Sequence, residues 1–432
     1  MIFIAGAILE MMGIRGNLTD LQEEALWRRA KASGFTRRAF LAVLASGGVG
    51  ALVTACSPKV PTTTPGTSVT PSPTTVPPAT RPIYKPTPDQ FFVNFGTNAE
   101  MRLEVMANRA YATPNSFFFV RSHTAAPFID VKSWKLSIQG DGVEKPFEMT
   151  YDDLLKAPSK TVTRYVDCAG NGRSFYDSMM KKPATGTQWK LGAYGVAEWT
   201  GVPLSALLRQ AGIKSTAVDV MPTGSDSTQI ERPMPVAKAM EDDTILAYLM
   251  NGELLPVDHG FPARAIVPGW VGVANIKWVS RITVSEKPLF VDKNTNSYVF
   301  IGPDYAPQSS AKGQILSNQV IKSACALPWP ATLAAGRQKV VGYAWSPFGR
   351  ISGVQVSLDG GKTFQQATLT GLNIERSGSR WELIFDARAG DMTITPGASD
   401  EKGNTQYDLS QQRWNEQGYL FGAMVPHPVR VV

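Results

Sequence analysis

The 432-residue sequence has only three cysteines and three histidines. Three cysteines exclude a disulfide framework, because domains held by disulfides are far denser in cysteine. They also exclude a structural zinc site made of thiolates alone, which takes four. So few histidines weigh against a multi-histidine metal site. Charged residues are sparse at 18%, and the +7 surplus is not gathered anywhere. The first 60 residues hold seven basic and four acidic side chains, which leaves +4 spread over the rest. That is no nucleic-acid footprint, which needs clustered Lys and Arg. It does suit a small anion held by a few convergent arginines. What the chain has is bulk: 10 Trp, 12 Tyr and 19 Phe are anchors that a disordered polymer lacks. The length allows two or three domains with sizeable cores.

The amino-terminal part reads as an address. Thr36-Arg37-Arg38-Ala39-Phe40-Leu41 has the twin-arginine form. The apolar stretch from Ala42 to Val53 is about 12 residues, too short to cross roughly 30 Å of hydrocarbon. It ends in Val53-Thr54-Ala55-Cys56, which resembles a bacterial lipobox with Cys56 as the acylated residue. Residues 1–56 are therefore expected to be a twin-arginine signal peptide with a lipobox. From Ser57 to Pro82, eight of 26 residues are Pro and eight are Thr. Such a segment cannot bury a core, so residues 57–85 are read as a tether. At about 3.1 Å per residue it reaches on the order of 80 Å. The expected layout is anchor, tether and globular body, with residues 86–300 and 310–432 as two domains.

In the body, Trp134–Gly140 alternates like a strand. Pro203–Ala211 reads as a helix stopped by Gly212, and Val236–Met250 as a second helix closed by Asn251-Gly252. Arg264–Pro268 and Lys277–Val284 read as strands, giving a loop-rich α+β unit. The boundary is placed in the irregular, polar stretch Glu286–Ser310. Beyond it the pattern is β only: Lys339–Trp345, Val354–Leu358, a turn at Asp359-Gly360-Gly361, a return over Thr363–Thr368, then Trp381–Ala387 and Pro428–Val432. Short strands at this spacing suggest a small β-sandwich of immunoglobulin type.

Two stretches carry chemistry. In Arg164-Tyr165-Val166-Asp167-Cys168-Ala169-Gly170-Asn171-Gly172-Arg173, a cysteine at a strand end is followed by residues that let the backbone approach a ligand. Arg173 nearby favours thiolate and attracts anions. The second stretch runs from Asp258-His259-Gly260-Phe261-Pro262-Ala263-Arg264 to Asn275-Ile276-Lys277-Trp278. A lone cysteine is most often a buried small hydrophobe. Paired with His123 or His259, Cys168 would suggest a thiol hydrolase. Neither reading uses the many Gly, Arg and Lys residues around these segments; a bulky anionic cofactor does.

From about residue 90 the chain resembles the sulfite oxidase family of molybdenum enzymes. The resemblance rests on Phe118-Phe119-Val120-Arg121-Ser122-His123, Cys168-Ala169-Gly170-Asn171, Gln188-Trp189 with Gly192-Ala193, Ala247-Tyr248 through Asn251-Gly252, and the Asp258–Lys277 stretch. Gly342-Tyr343-Ala344-Trp345-Ser346 and Val356-Ser357-Leu358-Asp359-Gly360-Gly361 resemble that family's dimerisation domain. The resemblance implies a sulfite-oxidase-type molybdopterin-binding domain followed by the sandwich, and one molybdenum-molybdopterin per chain. Cys168 would be the sulfur ligand to the metal, since a soft thiolate suits molybdenum already held by dithiolene sulfurs. Phe119, Arg121, Ser122, His123, Asp226, His259, Arg264, Asn275, Ile276 and Lys277 would contact the cofactor. Arg121 and Arg173 would hold the substrate, Trp189 would line its pocket, and Tyr298, with Tyr305 as competitor, would be the active-site tyrosine.

Two departures bear on substrate. Gly172 stands before Arg173 where the family pattern has a second arginine, and Gln417 stands where it has a pocket arginine. Loss of one such contact costs about 1.5–3 kcal/mol. The expected activity is oxidation of sulfite to sulfate. The alternatives are reduction of a neutral sulfoxide and a non-catalytic binding lipoprotein. No Cys-x-x-Cys-His motif occurs, so no haem is expected in this chain. Electrons would pass to an external partner such as a c-type cytochrome. A homodimer is expected, lipid-anchored at the outer face of the cytoplasmic membrane, with no nucleic-acid partner.

Overall fold

The computed structural model describes residues 82–432, and residues 80–432 make one compact unit. The twin-arginine segment, Cys56 and nearly all of the tether lie outside the described residues. Two five-stranded sheets frame the first half. One runs Glu253–Leu254, Ile245–Met250, Tyr194–Pro203, Lys160–Asp167, with Arg264–Ile266 also paired to Ile245–Met250. The other runs Phe147–Thr150, Lys135–Gln139, Val279–Ser285, Asp219–Gly224, Met234–Pro235. Helices are few. The longest among the described residues, Leu204–Gln210, has seven residues, and the Tyr151–Lys156 helix opens on a Thr150–Asp153 capping box.

One predicted helix divides into a short helix and a strand. Val236–Ala239 is helical, but Ile245–Met250 is the central strand of its sheet, buried at every position. A fully buried strand has no polar face, so its apolar run carries no period of two. The presumed irregular stretch Glu286–Ser310 holds a short helix, Asp292–Thr295, and the strand Val299–Phe300, which pairs with Gln314–Ile315. The return after the Asp359 turn divides. Gln365–Gln366 pairs with Ile351–Ser357, and Thr368–Ile374 joins the opposite sheet.

The second half is two facing sheets. One runs Lys322–Cys325, Gly336–Trp345, Gly378–Ala387, Thr368–Ile374. The other runs Ala331–Leu333, His427–Val431, Gly390–Asp400, Ile351–Ser357, Gln365–Gln366. Alternation decides the faces: Trp381, Leu383 and Phe385 are buried, while Ile384 between them is 49% exposed. Their partners across the core are Val354, Val356, Ile394 and Val429. A further core joins the two halves, with Tyr194 stacked on Trp345 at 3.9 Å between ring centroids.

His427 closes the sandwich at this seam. It is 3% exposed, its Nε2 lies 2.8 Å from the Pro328 carbonyl, and its ring meets Trp329 edge-on. Burial lowers its pKa from 6.5 to about 4. Its stabilising effect is therefore full above pH 6.5 and is lost as pH falls toward 4, because only the unfolded chain takes up the proton in that window. The total is about 3 kcal/mol. Urea unfolding of the wild type is expected to lose that much more free energy between pH 7 and pH 4 than His427→Gln does. Parallel pH profiles would contradict this account.

Candidate functional site

Cys168 sits one residue past the Lys160–Asp167 strand, where the chain leaves the sheet and turns. Its N–H donates to the Ala193 carbonyl and its own carbonyl accepts from Asn171 N–H, both at 2.9 Å. The Asn171 side chain ties the turn to the neighbouring segment, accepting from Ala193 N–H and donating to the Leu191 carbonyl. Gly272 lets another loop press close: a Cβ there would lie 2.7 Å from the Asp167 carbonyl oxygen and 3.1 Å from Cys168 Cα.

The turn separates two cavities. All ten residues expected to hold the cofactor line the first: Phe119, Arg121, Ser122, His123, Asp226, His259, Arg264, Asn275, Ile276 and Lys277. The second is lined by Arg173, Thr185–Thr187, Ser297, Glu416, Gln417 and Tyr419. Cys168, Arg121 and Tyr298 line both. A group filling the first cavity would thus meet a molecule in the second beside the thiol.

The first cavity is electrostatically unfinished. Arg121, Arg264 and Lys277 face it, yet among the described residues none of them makes an ion pair. Asp258 is spent on the backbone N–H groups of Tyr84 and Lys85, and Asp226 on Thr124, Thr228 and the Ile230 N–H. Burial drives Lys277 well below its usual range and His259 likewise. Burial also lowers His123 to about 2, with Arg121 adding to the effect. The buried Nε2 of His259 and Nε of Arg264 have no partner. Buried cations and orphaned polar atoms cost free energy until a ligand of complementary charge and hydrogen-bonding pattern meets them. A phosphorylated heterocycle rich in hydrogen-bonding edges is the class of group that fits. Among the described residues no three His, Cys, Asp or Glu side chains gather as a metal cage, and the first cavity offers a metal one thiol.

The second cavity has its own order. Arg173, 6% exposed, donates from Nε to the Gln417 carbonyl and from Nη1 to the Thr187 carbonyl, each at 2.8 Å, and stands over the Tyr419 ring. Tyr298 is left-handed at φ +57° and stacks on Tyr419. Its hydroxyl reaches His123 Nε2 at 3.0 Å and accepts from Arg121 Nη2 at 3.3 Å. Tyr305 instead stacks on Phe300 and lines neither cavity, whereas Tyr298 lines both. Trp189, expected at the pocket wall, lines neither cavity. It is fully buried behind Cys168, edge-on to Phe95. Gln417 does line the second cavity, its Nε2 donating to the Asn296 carbonyl. Cys168 makes no hydrogen bond to His123 or His259 among the described residues, and His123 is engaged by Tyr298. Sequence reasoning missed Tyr419 and gave Asp258, which opens the second stretch, no role. The first arrives from about 250 residues away, and the second works by holding the Tyr84–Lys85 backbone.

Gly170 makes room for Arg173: a Cβ would fall 2.4 Å from its Nη2. Gly170→Ala is expected to push the guanidinium off the cavity and raise KM for an anionic substrate by roughly 10-fold or more, the worth of a charge-assisted hydrogen bond. An unchanged KM in steady-state kinetics would show that Arg173 does not hold substrate.

A single thiol beside a cavity lined by arginine and lysine is the arrangement of a molybdopterin oxidoreductase. Sequence comparison agrees. Residues 123–291 match the model of the oxidoreductase molybdopterin binding domain, and residues 315–424 that of the Mo-co oxidoreductase dimerisation domain. Mitochondrial sulfite oxidase of Rattus norvegicus is 34% identical over 353 residues, 78% of this chain and 64% of that protein. Sulfite oxidase of Gallus gallus is 33% identical over 342 residues, 75% of this chain and 74% of that protein. The sulfane dehydrogenase SoxCD from Paracoccus pantotrophus superposes with a TM-score of 0.69 at 32% identity, covering 76% of this chain and 83% of that one. The chain belongs to the sulfite oxidase family and takes molybdenum-molybdopterin as its cofactor. It spans just under two thirds of the length of the mitochondrial relatives it matches.

Proposed function

We propose that this chain oxidises sulfite to sulfate and passes the electrons to an external acceptor such as a c-type cytochrome. Two arginines, the buried Arg173 and the half-buried Arg121, turned on one cavity beside Cys168, carry the reading. When bound, molybdopterin supplies a molybdenum centre that exchanges an oxygen atom with sulfur and passes electrons on. Cys168 would give that metal its protein thiolate. Arg264 and Lys277 would neutralise the cofactor's phosphate, and His259 and Asn275 would meet its hydrogen-bonding edges. Arg121 and Arg173 would hold the oxyanion. The Tyr298 hydroxyl, kept in place by Arg121 and a neutral His123, would hydrogen-bond to it.

Reduction of a sulfoxide is the second reading, favoured by Gln417 and Glu416 on the wall of the second cavity. One neutral and one acidic side chain there leave less positive charge for an anion. Sulfite-dependent reduction of ferricyanide, set against sulfoxide-dependent oxidation of reduced viologen, separates the two. Turnover of sulfite is expected, and Gln417→Arg should lower its KM roughly 10-fold. No turnover at millimolar sulfite would refute the first reading. We further propose export by the twin-arginine route, a lipid anchor on Cys56 at the outer face of the cytoplasmic membrane, and a homodimer through the C-terminal sandwich, read as immunoglobulin-like.

A further inference from the structure

The Cys168 turn is held from the C-terminal half at alternate residues. Asp167 Oδ2 accepts from Lys322 Nζ and from Trp345 Nε1, each at 3.1 Å. The Asp167 carbonyl accepts from Gln319 Nε2 at 2.6 Å. The Ala169 carbonyl accepts from Leu420 N–H at 2.8 Å, and the Asn171 carbonyl from Lys322 Nζ at 3.0 Å. Lys322 and Trp345 are directly opposed residues on paired strands, so a rigid sheet edge, not a loop, presents both donors. The ion pair is fully buried, at 1% and 0% side-chain exposure. Asp167 Oδ1 is left without a partner, so the pair is poorly optimised for stability alone. Apolar residues of similar volume would join the two halves as well or better. What they would lack is direction, since only hydrogen-bond donors can fix the carbonyls on both sides of a thiol.

We propose that Asp167 and Lys322 are positioning residues for Cys168, through which the C-terminal sandwich sets the aim of the thiol into the cofactor cavity. This rests on reading Cys168 as the metal ligand. Ligand orientation by an outer shell is worth ~10–100-fold in metal affinity or activity.

The test is the visible thiolate-to-molybdenum charge-transfer band of the purified oxidised holoenzyme, read with molybdenum per chain and thermal midpoint. Lys322→Met alone strands a buried carboxylate and is expected to lower the yield of folded protein. The double variant Asp167→Asn/Lys322→Met removes both charges. It is expected to keep its thermal midpoint while the band weakens or shifts and sulfite turnover falls ~10–100-fold. A double variant with the wild-type band overturns the proposal. If the double variant does not fold, Gln319→Met, which removes only the bond to the Asp167 carbonyl, is read instead: a weakened band supports the proposal and an unchanged one overturns it. Cys168→Ser, measured alongside, should lose the band outright. If the band survives there, the ligand reading itself has failed. If it vanishes there while the double variant matches wild type, only the positioning role has failed.

Discussion

Replacing Cys168 with serine is expected to end turnover while leaving the fold intact. The loss should exceed the ~100-fold that an outer-shell change costs, because on the proposed reading the change removes a metal ligand outright. Sulfur and oxygen differ here in softness and in acidity. A thiol releases its proton within reach of physiological pH and binds soft metals; a serine hydroxyl does neither. The side chains are nearly isosteric, so packing among Phe119, Val166 and Trp189 survives. The natural control is Cys325. It is buried in the sandwich core, its thiol pushed up by desolvation, and its Sγ leans on the Ile394 carbonyl. Cys325→Ala should cost stability of about 1–2 kcal/mol, as a small core truncation does, and leave turnover unchanged. Steady-state kinetics with molybdenum content on both variants checks the pair. A Cys168→Ser enzyme that still turns over would end the ligand assignment.

How much of this was legible in the sequence depends on how far each contact reaches along the chain. The residues lining the first cavity come in runs, Phe119–His123 and Asn275–Lys277, with His259 and Arg264 on one short loop and strand. A local motif carries their chemistry, so the resemblance to a known family reached them. The second cavity is assembled from the Arg173 turn, the Tyr298 segment and the Glu416–Tyr419 tail. Tyr419 stacks on Tyr298, yet nothing in either local sequence announces the other. Trp189 failed for a related reason. An aromatic next to a site motif looks like a wall, but its neighbours Phe95 and Cys168 turn it into core. The sandwich was readable because its strands alternate, as at Trp381–Phe385. The Ile245–Met250 strand was not, because burial on both faces erases the period that distinguishes strand from helix.

Arg264→Met should produce a protein that is more stable when empty and nearly unable to keep its cofactor. The guanidinium lies fully buried. Its Nη1 donates to the His259 carbonyl at 3.2 Å, its Nε has no partner, and it stands over the Trp199 ring. Burial lowers its pKa to about 9, still far enough above neutral for it to carry its charge at pH 7. The charged form is the one the fold disfavours, so the cost is full below pH 9 and is relieved only as pH rises from there toward 12.5. A methionine of similar length fills the space without that charge. Unfolding of cofactor-free protein at pH 7 should therefore be harder for the variant by roughly 1–3 kcal/mol, the cost of an unsatisfied buried polar group. The gap should shrink above pH 9. In a host that makes molybdopterin the order reverses, since the wild-type cation then has a phosphate to face and the variant offers none. Molybdenum per chain, near one for the wild type, should fall close to zero for Arg264→Met. A variant that is less stable when empty would show that Arg264 is satisfied by the protein itself. A variant that keeps its molybdenum would place the phosphate elsewhere in the cavity, against Lys277.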